Sequence, residues 1–174
     1  MGSLRPLLYY VILLSYHPFS SFAVASNVDK VCQNMKSGHV TRKDCYSVIN
    51  TDPRSHSADL HGIAIISADI AIKTATSLIP DVNKFFKASS DPNHQKARQK
   101  CLQACTDVIP KLNGAAESIK SKNYVQARNV FVEAFIVPKM CFDPTENYPP
   151  LWALIERFTT VVYVAIEVSD LVHG

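Results

Sequence analysis

This sequence of 174 residues lacks most of the short motifs that mark enzymes. It has five glycines, and none belongs to a Gly-rich loop of the kind that cradles a phosphate or a dinucleotide. It has no His-Glu-x-x-His zinc signature and no Gly-rich nucleophile turn, and its carboxylates are scattered rather than paired as in glycosidases. Residues 56–61 include His, Ser and Asp, but side chains at one helix start point in different directions, so no hydrolase triad is expected. The sequence therefore predicts a protein without catalytic activity and without a cofactor.

Strong charge of one sign is also missing. The chain has 18 Lys and Arg against 15 Asp and Glu, for a formal net charge of +3. The basic residues are mixed with acidic ones, and they form no basic stripe with interleaved aromatics. We therefore expect no nucleic-acid partner.

The first 25 residues have the pattern of a secretory signal peptide. Arg5 lies in a basic start, an apolar run covers residues 7–14, and Ala-Val-Ala at 23–25 is typical of a cleavage site. A membrane anchor needs about 20 apolar residues, and polar residues end this run too early. No later stretch is predicted to span a membrane. The sequence therefore predicts a signal peptide over 1–25 and one secreted domain over 26–174, with no membrane partner.

Apolar residues in the rest of the chain recur in steps of three and four, which is the helical period. Three of the long helices predicted from this pattern cover about 58–88, 92–121 and 151–172, and the third in chain order begins near 123 and runs toward Pro138. Two short helical segments precede them on either side of Gly38. We expect Pro80 to kink its helix, Pro110 to interrupt the next, Pro138 to end or bend the third, and Asp91 to cap the second. The prediction is an all-α, antiparallel four-helix bundle preceded by a short helical hairpin.

Five cysteines remain in the secreted part: Cys32, Cys45, Cys101, Cys105 and Cys141. Because cysteines pair in an oxidising compartment, an odd number predicts two disulfides and one spare thiol. Cys101 and Cys105 lie one turn apart on a single helical face, so either of them could bridge to Cys141. A metal site is not expected, because structural zinc prefers four ligands and no histidine lies at suitable spacing in the cysteine helices.

The order of three segments resembles a known plant family. These segments are "VCQNMKSGHVTRKDCYSVINTDPRSHSADLHGIAI", "ARQKCLQACTDVIPKL" and "KMCFDP", followed by an apolar C-terminal helix. They resemble the plant invertase and pectin methylesterase inhibitors, and among these the invertase inhibitor group is the most similar. The resemblance implies an up-down-up-down four-helix bundle after a short N-terminal helical hairpin. It also implies an inhibitor, secreted to the apoplast, cell wall or vacuole, that occludes the active-site cleft of pectin methylesterase or acid invertase in a one-to-one complex.

The resemblance also implies roles for the cysteines. It implies disulfides Cys32–Cys45 and Cys101–Cys141. Cys105 falls where the family usually carries an aromatic, so it is expected to be a free thiol packed in the bundle. Pairing of Cys105 with another chain, or with Cys141 in place of Cys101, stays open at this point.

Candidate target-binding residues follow from the same resemblance. In the family's invertase inhibitors a Pro-Lys-Phe stretch near the start of the third bundle helix enters the enzyme cleft, and Lys122-Asn123-Tyr124 is the nearest match here, without the proline. Asn123 could equally be a plain helix cap. The pectin methylesterase group makes contacts through its second and third bundle helices, which adds exposed polar candidates: Glu117, Lys120, Gln126, Arg128 and Glu133. The alternative is a secreted bundle that binds a small apolar ligand, or a storage or allergen-like protein without an enzyme target.

Overall fold

A computed structural model describes residues 26–87, 92–141 and 149–174. Its helices, in chain order, are α1 (Asn27–Gln33), α2 (Arg42–Ile49), a short 3-10 helix (Pro53–His56), α3 (Leu60–Phe86), α4 (Pro92–Lys120), α5 (Tyr124–Glu133), α6 (Ile136–Cys141) and α7 (Pro149–His173). These described ranges contain no strand, which confirms the all-α class. The predicted signal peptide and the predicted Asp91 cap lie outside the described residues.

The N-terminal hairpin consists of α1 and α2, and each helix begins with a capping box. The hydroxyl of Ser26 accepts from the Asp29 backbone N–H, and the Asp29 carboxylate accepts from the Ser26 N–H; Thr41 and Asp44 do the same for α2. The connection turns at Gly38, whose φ of +68° suits glycine. A disulfide joins Cys32 to Cys45 with Cα atoms 5.4 Å apart, as predicted.

Four long elements build the bundle. α3 packs on α4 and α7, α5 packs on α4 and α7, and α6 packs mainly on α4, so α5 and α6 together form the third bundle member. Each member buries residues spaced by three and four, and α4 contributes Cys101, Ala104, Cys105, Val108, Leu112, Ala115, Ala116 and Ile119. Because consecutive members pack side by side around one core, and the last packs against the first, this pairing confirms the predicted up-down-up-down bundle.

The prolines act differently from one another. α3 continues through Pro80 and α4 through Pro110, so the predicted interruption at Pro110 is wrong. Loss of one backbone hydrogen bond is tolerated there because the buried residues on either side hold both halves of α4 in the core. The third member is interrupted near Pro138, because α5 ends at Glu133 and α6 begins at Ile136. A proline ring clashes with the carbonyl of residue i−4, and the Ala134 carbonyl instead accepts the Val137 N–H at 3.1 Å.

Among the described helices, α3 is long and apolar enough to cross a membrane by length and composition, which the sequence analysis did not predict. Its apolarity has another explanation in the bundle. Ile63, Ala71, Leu78 and Val82 are all buried against the neighbouring helices. We therefore interpret α3 as a core helix.

The hairpin is fastened to the bundle by contacts with α7. The Glu167 carboxylate accepts the backbone N–H groups of Lys36 and Ser37, both at 2.9 Å. The His39 ring stacks on Tyr163 of α7 with centroids 4.6 Å apart. These contacts orient the hairpin relative to the bundle.

Candidate target-binding surface at the α4–α5 connection

The chain passes from α4 to α5 through a tight turn centred on Lys122. The Lys122 N–H donates to the Ile119 carbonyl and the Asn123 N–H to the Ser118 carbonyl, both at 2.7 Å. This pair of bonds is the Schellman motif, which places its C′ residue in the left-handed region and usually uses glycine there. Lys122 occupies that position with φ of 60°, and it is the one non-glycine residue with positive φ in the described ranges. Its exposed side chain is therefore held on a strained but well-defined turn.

Asn123 caps the following helix. Its Oδ1 accepts the backbone N–H of Gln126 at 3.2 Å, which satisfies one of the free amides at the start of α5. Asn123 is therefore observed as a helix cap, which is one of the two roles that the sequence offered for it. The side chain of Gln126 is exposed one turn further on.

Tyr124 leans back onto the first bundle helix. Its hydroxyl lies 2.9 Å from Nδ1 of His61, and the two rings meet edge to face with centroids 6.1 Å apart. The ring is half-buried, so one part of it remains at the surface beside Lys122. The aromatic ring is thus held in place by contacts within the chain.

The charged candidates point to two different sides of the bundle. Lys120 pairs with Glu117 at 2.7 Å, and this hydrogen bond raises the pKa of Lys120. Arg128 pairs with Asp170 of α7, with Nε to Oδ1 at 2.8 Å. On the other side, Glu133 pairs with Lys111 of α4 at 2.9 Å. The structure therefore brings Lys120, Lys122, Asn123, Tyr124 and Gln126 together at one end of the bundle and places Arg128 along α7.

An exposed apolar stripe on the third bundle member was missed from the sequence. Val125, Val132, Ile136 and Met140 are between 37% and 46% exposed and recur at steps of seven, four and four. Their spacing off the core face of the predicted third helix was the signal that could have identified them. Apolar side chains that form a contiguous exposed patch mark partner-contact surfaces, whereas single ones are common on any protein surface.

Ile136 and Met140, the last two residues of this stripe, line a groove between α4 and α6. The groove encloses about 630 Å³. Its apolar residues are Ala104, Val108, Ile136 and Met140, and its polar rim consists of Lys96, Gln99, Lys100, Gln103, Asp107 and Lys111. The groove therefore lies on the same two bundle helices as the candidate polar contacts.

The segment Asp52-Pro53-Arg54-Ser55, which lies within the first stretch that resembles the family, has a structural role. Asp52 caps the 3-10 helix by accepting the Arg54 N–H at 3.0 Å. The Arg54 guanidinium contacts Asp52 and also Asp69 of α3, both at 2.7 Å. Its hydrogen bonds to Asp52 lower the pKa of that carboxyl. These contacts tie the entrance of the bundle to α3.

The cysteines of the bundle form a group of three sulfurs. Cys101 is bonded to Cys141, with Cα atoms 4.4 Å apart, which confirms the second disulfide. Cys105 is unpaired and fully buried, so the folded chain does not offer it to another chain. The three Sγ atoms lie within 4.8 Å of one another. Two of them are joined in a disulfide and are not thiolates, so this group does not offer the ligands of a metal site.

Comparison with known proteins gives three further findings. The family model described as "Plant invertase/pectin methylesterase inhibitor" matches residues 26–157. The chain is 32% identical over 108 residues to "Putative invertase inhibitor" of Platanus orientalis, covering 62% of this chain and 62% of that protein. It is 26% identical over 135 residues to "Pectinesterase inhibitor" of Actinidia deliciosa, covering 75% of this chain and 72% of that protein.

A solved structure matches the fold. The crystal structure of mutant form A of a pectin methylesterase inhibitor from Arabidopsis superposes with a TM-score of 0.69 at 17% identity, covering 84% of this chain and 97% of that one. The chain that forms this bundle, this hairpin and these two disulfides thus also matches the family model over most of its sequence. The chain belongs to the plant invertase/pectin methylesterase inhibitor family.

Proposed function

We propose that this chain is a secreted protein inhibitor that docks on pectin methylesterase or acid invertase in the cell wall, one to one, and occludes the active-site cleft. The observation that carries the proposal is the strained turn at Lys122. Left-handed backbone at a non-glycine residue costs about 1–2 kcal/mol, and such strain is concentrated at functional sites. The family consists of inhibitors rather than enzymes, which agrees with the predicted lack of catalysis.

The turn has the properties of a rigid insertion element. Lys122 presents an ammonium group at the end of the bundle, and carboxylates in an enzyme cleft could accept charge-assisted hydrogen bonds from it. The Asn123 cap and the bond from Tyr124 to His61 hold the flanking residues in place. Because the turn is already ordered, little conformational entropy is lost on docking.

A second surface supports the pectin methylesterase alternative. The exposed apolar stripe of α5 and α6, next to the groove with α4, offers apolar area on the two bundle helices that this group uses for contact. Glu133 and Lys111 lie beside it as a polar rim. The Lys122 turn is thus the candidate contact for invertase, and the stripe is the candidate contact for pectin methylesterase.

The test is a paired inhibition assay. The full chain is secreted from a eukaryotic host that processes its N-terminus, and the product is titrated against plant acid invertase and plant pectin methylesterase at about pH 5. We expect inhibition of one enzyme at concentrations below ~1 µM. Lys122→Ala should weaken invertase inhibition at least tenfold, whereas Val132→Ser should weaken pectin methylesterase inhibition. Lys43→Ala, an exposed lysine on the hairpin, is the matched control. Inhibition of neither enzyme by a correctly bridged protein would overturn the proposal.

The groove between α4 and α6 also favours the alternative function, binding of a small apolar ligand. The volume of the groove, about 630 Å³, is within the range of pockets that bind small molecules, and apolar residues line it. Native mass spectrometry of the purified secreted protein tests this, because a bound ligand would add a discrete mass. A protein that carries no added mass and inhibits an enzyme would exclude the alternative.

A further inference from the structure

The buried thiol of Cys105 faces an existing disulfide at very short range. Its Sγ lies within 4.8 Å of both sulfurs of the Cys101–Cys141 bond. Cys105 and Cys101 lie one turn apart on α4, about 6 Å along the helix axis. Cys141, at the end of α6, is half-buried, and its sulfur is bonded to Cys101 while lying within 4.8 Å of the Cys105 sulfur.

We propose that these three cysteines form a disulfide-exchange site, at which the bond between α4 and α6 moves by one helical turn, from Cys101 to Cys105. The proposal does not depend on the inhibitory function. It concerns the covalent state of the folded chain, and it gives Cys105 a role beyond filling the core.

The exchange needs no external oxidant or reductant. The Cys105 thiol loses its proton, and the resulting thiolate attacks Sγ of Cys141. The Cys105–Cys141 bond forms while the Cys101–Cys141 bond breaks, and Cys101 leaves as a thiolate that takes up a proton. One disulfide and one thiol are present before and after, so electrons and protons balance.

The buried location controls the rate of this step. Burial raises the pKa of the Cys105 thiol to about 11, opposed by a smaller effect from a backbone hydrogen bond. No charged or titratable side chain on the described parts of α3, α5, α6 or α7 contributes to that shift. Since only the thiolate attacks, the rate should rise about tenfold per pH unit below the thiol pKa. Exchange should therefore be slower in a mildly acidic compartment than near neutral pH.

Movement of the bond would change the surface between the second and third bundle helices. Met140, next to Cys141, lines the groove with Ala104 and Val108 of α4. A bond to Cys105 pulls the end of α6 toward the middle of α4. The groove should therefore differ between the two bonded forms.

The experiment follows the position of the free thiol in the purified secreted protein. Samples are held without reductant at about pH 6 and pH 9, quenched in acid, unfolded and labelled at free thiols with a maleimide. After reduction and a second label, trypsin releases Cys101 and Cys105 on one peptide, between Lys100 and Lys111. Tandem mass spectrometry then shows which of the two carried the maleimide.

The expected result is label moving from Cys105 to a mixture of Cys105 and Cys101, about a thousandfold faster at pH 9 than at pH 6. Label that stays on Cys105 throughout prolonged incubation at pH 9 would overturn the proposal. The variant C101S gives a second measurement, since it should secrete with a Cys105–Cys141 bridge and a native helical spectrum. Folded C101S with two free thiols would also count against exchange. If C101S fails to fold, the maleimide labelling of the native protein at pH 6 and pH 9 decides. C105S is the control, with no free thiol to label.

Discussion

The phenol oxygen of Tyr124 lies 2.9 Å from Nδ1 of His61, so a hydrogen bond joins the first residue of α5 to the first turn of α3. This contact joins two bundle helices at the end where Lys122 makes the strained turn. It makes the candidate site a property of three helix ends rather than of one loop.

Replacement of Lys122 by glycine should stabilise the fold while weakening inhibition. Glycine removes the cost of left-handed backbone, about 1–2 kcal/mol, and part of this gain is lost because glycine adds entropy to the unfolded chain. We expect a net gain of about 0.5–1 kcal/mol in the free energy of unfolding, measured by urea denaturation. Lys73→Gly, at an exposed position within α3, should instead cost about 1 kcal/mol. Equal destabilisation by both variants would contradict the strain at Lys122.

The hydrogen bond between Tyr124 and His61 should give a measurable coupling energy in the free energy of unfolding. Tyr124→Phe removes the hydroxyl and keeps the ring, so we expect a loss of about 1 kcal/mol in stability and little change in inhibition. A double-mutant cycle with His61→Ala should give a coupling of about 0.5–1.5 kcal/mol. Tyr124→Ala, which removes the ring, should weaken inhibition as well. Additive effects of the two substitutions would show that the observed bond adds no stability.

Glu167 should hold the hairpin on the bundle. Glu167→Ala leaves the N–H groups of Lys36 and Ser37 without their carboxylate, and we expect a loss of about 1–2 kcal/mol. Hydrogen exchange of these two amides should accelerate before that of the core helices. Glu156→Ala, at an exposed carboxylate on the same helix, serves as the control. Unchanged exchange at residues 36 and 37 would contradict the role.

Stability should fall at acidic pH because of the two capping boxes. Hydrogen bonds from Tyr46 and Ser26 lower the pKa of Asp29, and those from Thr41 lower the pKa of Asp44. A carboxyl with a depressed folded-state pKa stabilises the fold above its unfolded pKa of about 3.9. That contribution is lost as pH falls through the folded-state value. Melting temperatures between about pH 2 and pH 6 should therefore decline less steeply at the acid end in Asp29→Asn and Asp44→Asn. Parallel curves for the variants and the native sequence would contradict this account.

Much of the fold was predictable because its determinants are local. The three- and four-residue spacing of apolar side chains in 58–88 and 92–121 depends on the helical period alone, and it predicted α3 and α4 within a few residues. Pro138 interrupted the third member because a proline ring clashes with the carbonyl four residues before it. The Pro110 prediction failed because core packing around it outweighs one missing hydrogen bond. The choice of Cys101 over Cys105 came from family resemblance, since both lie on one helical face.

The sequence alone therefore determined the helix positions, the core stripes and the presence of a spare cysteine. Tertiary structure decided the left-handed conformation of Lys122, the bond from Tyr124 to His61 and the pairing of Arg128 with Asp170. It also decided the exposure of Val125, Val132, Ile136 and Met140 and the distance from Cys105 to the disulfide. The physical reason is range, because helical periodicity acts over a few residues, whereas these contacts join positions on separate helices that only packing brings together.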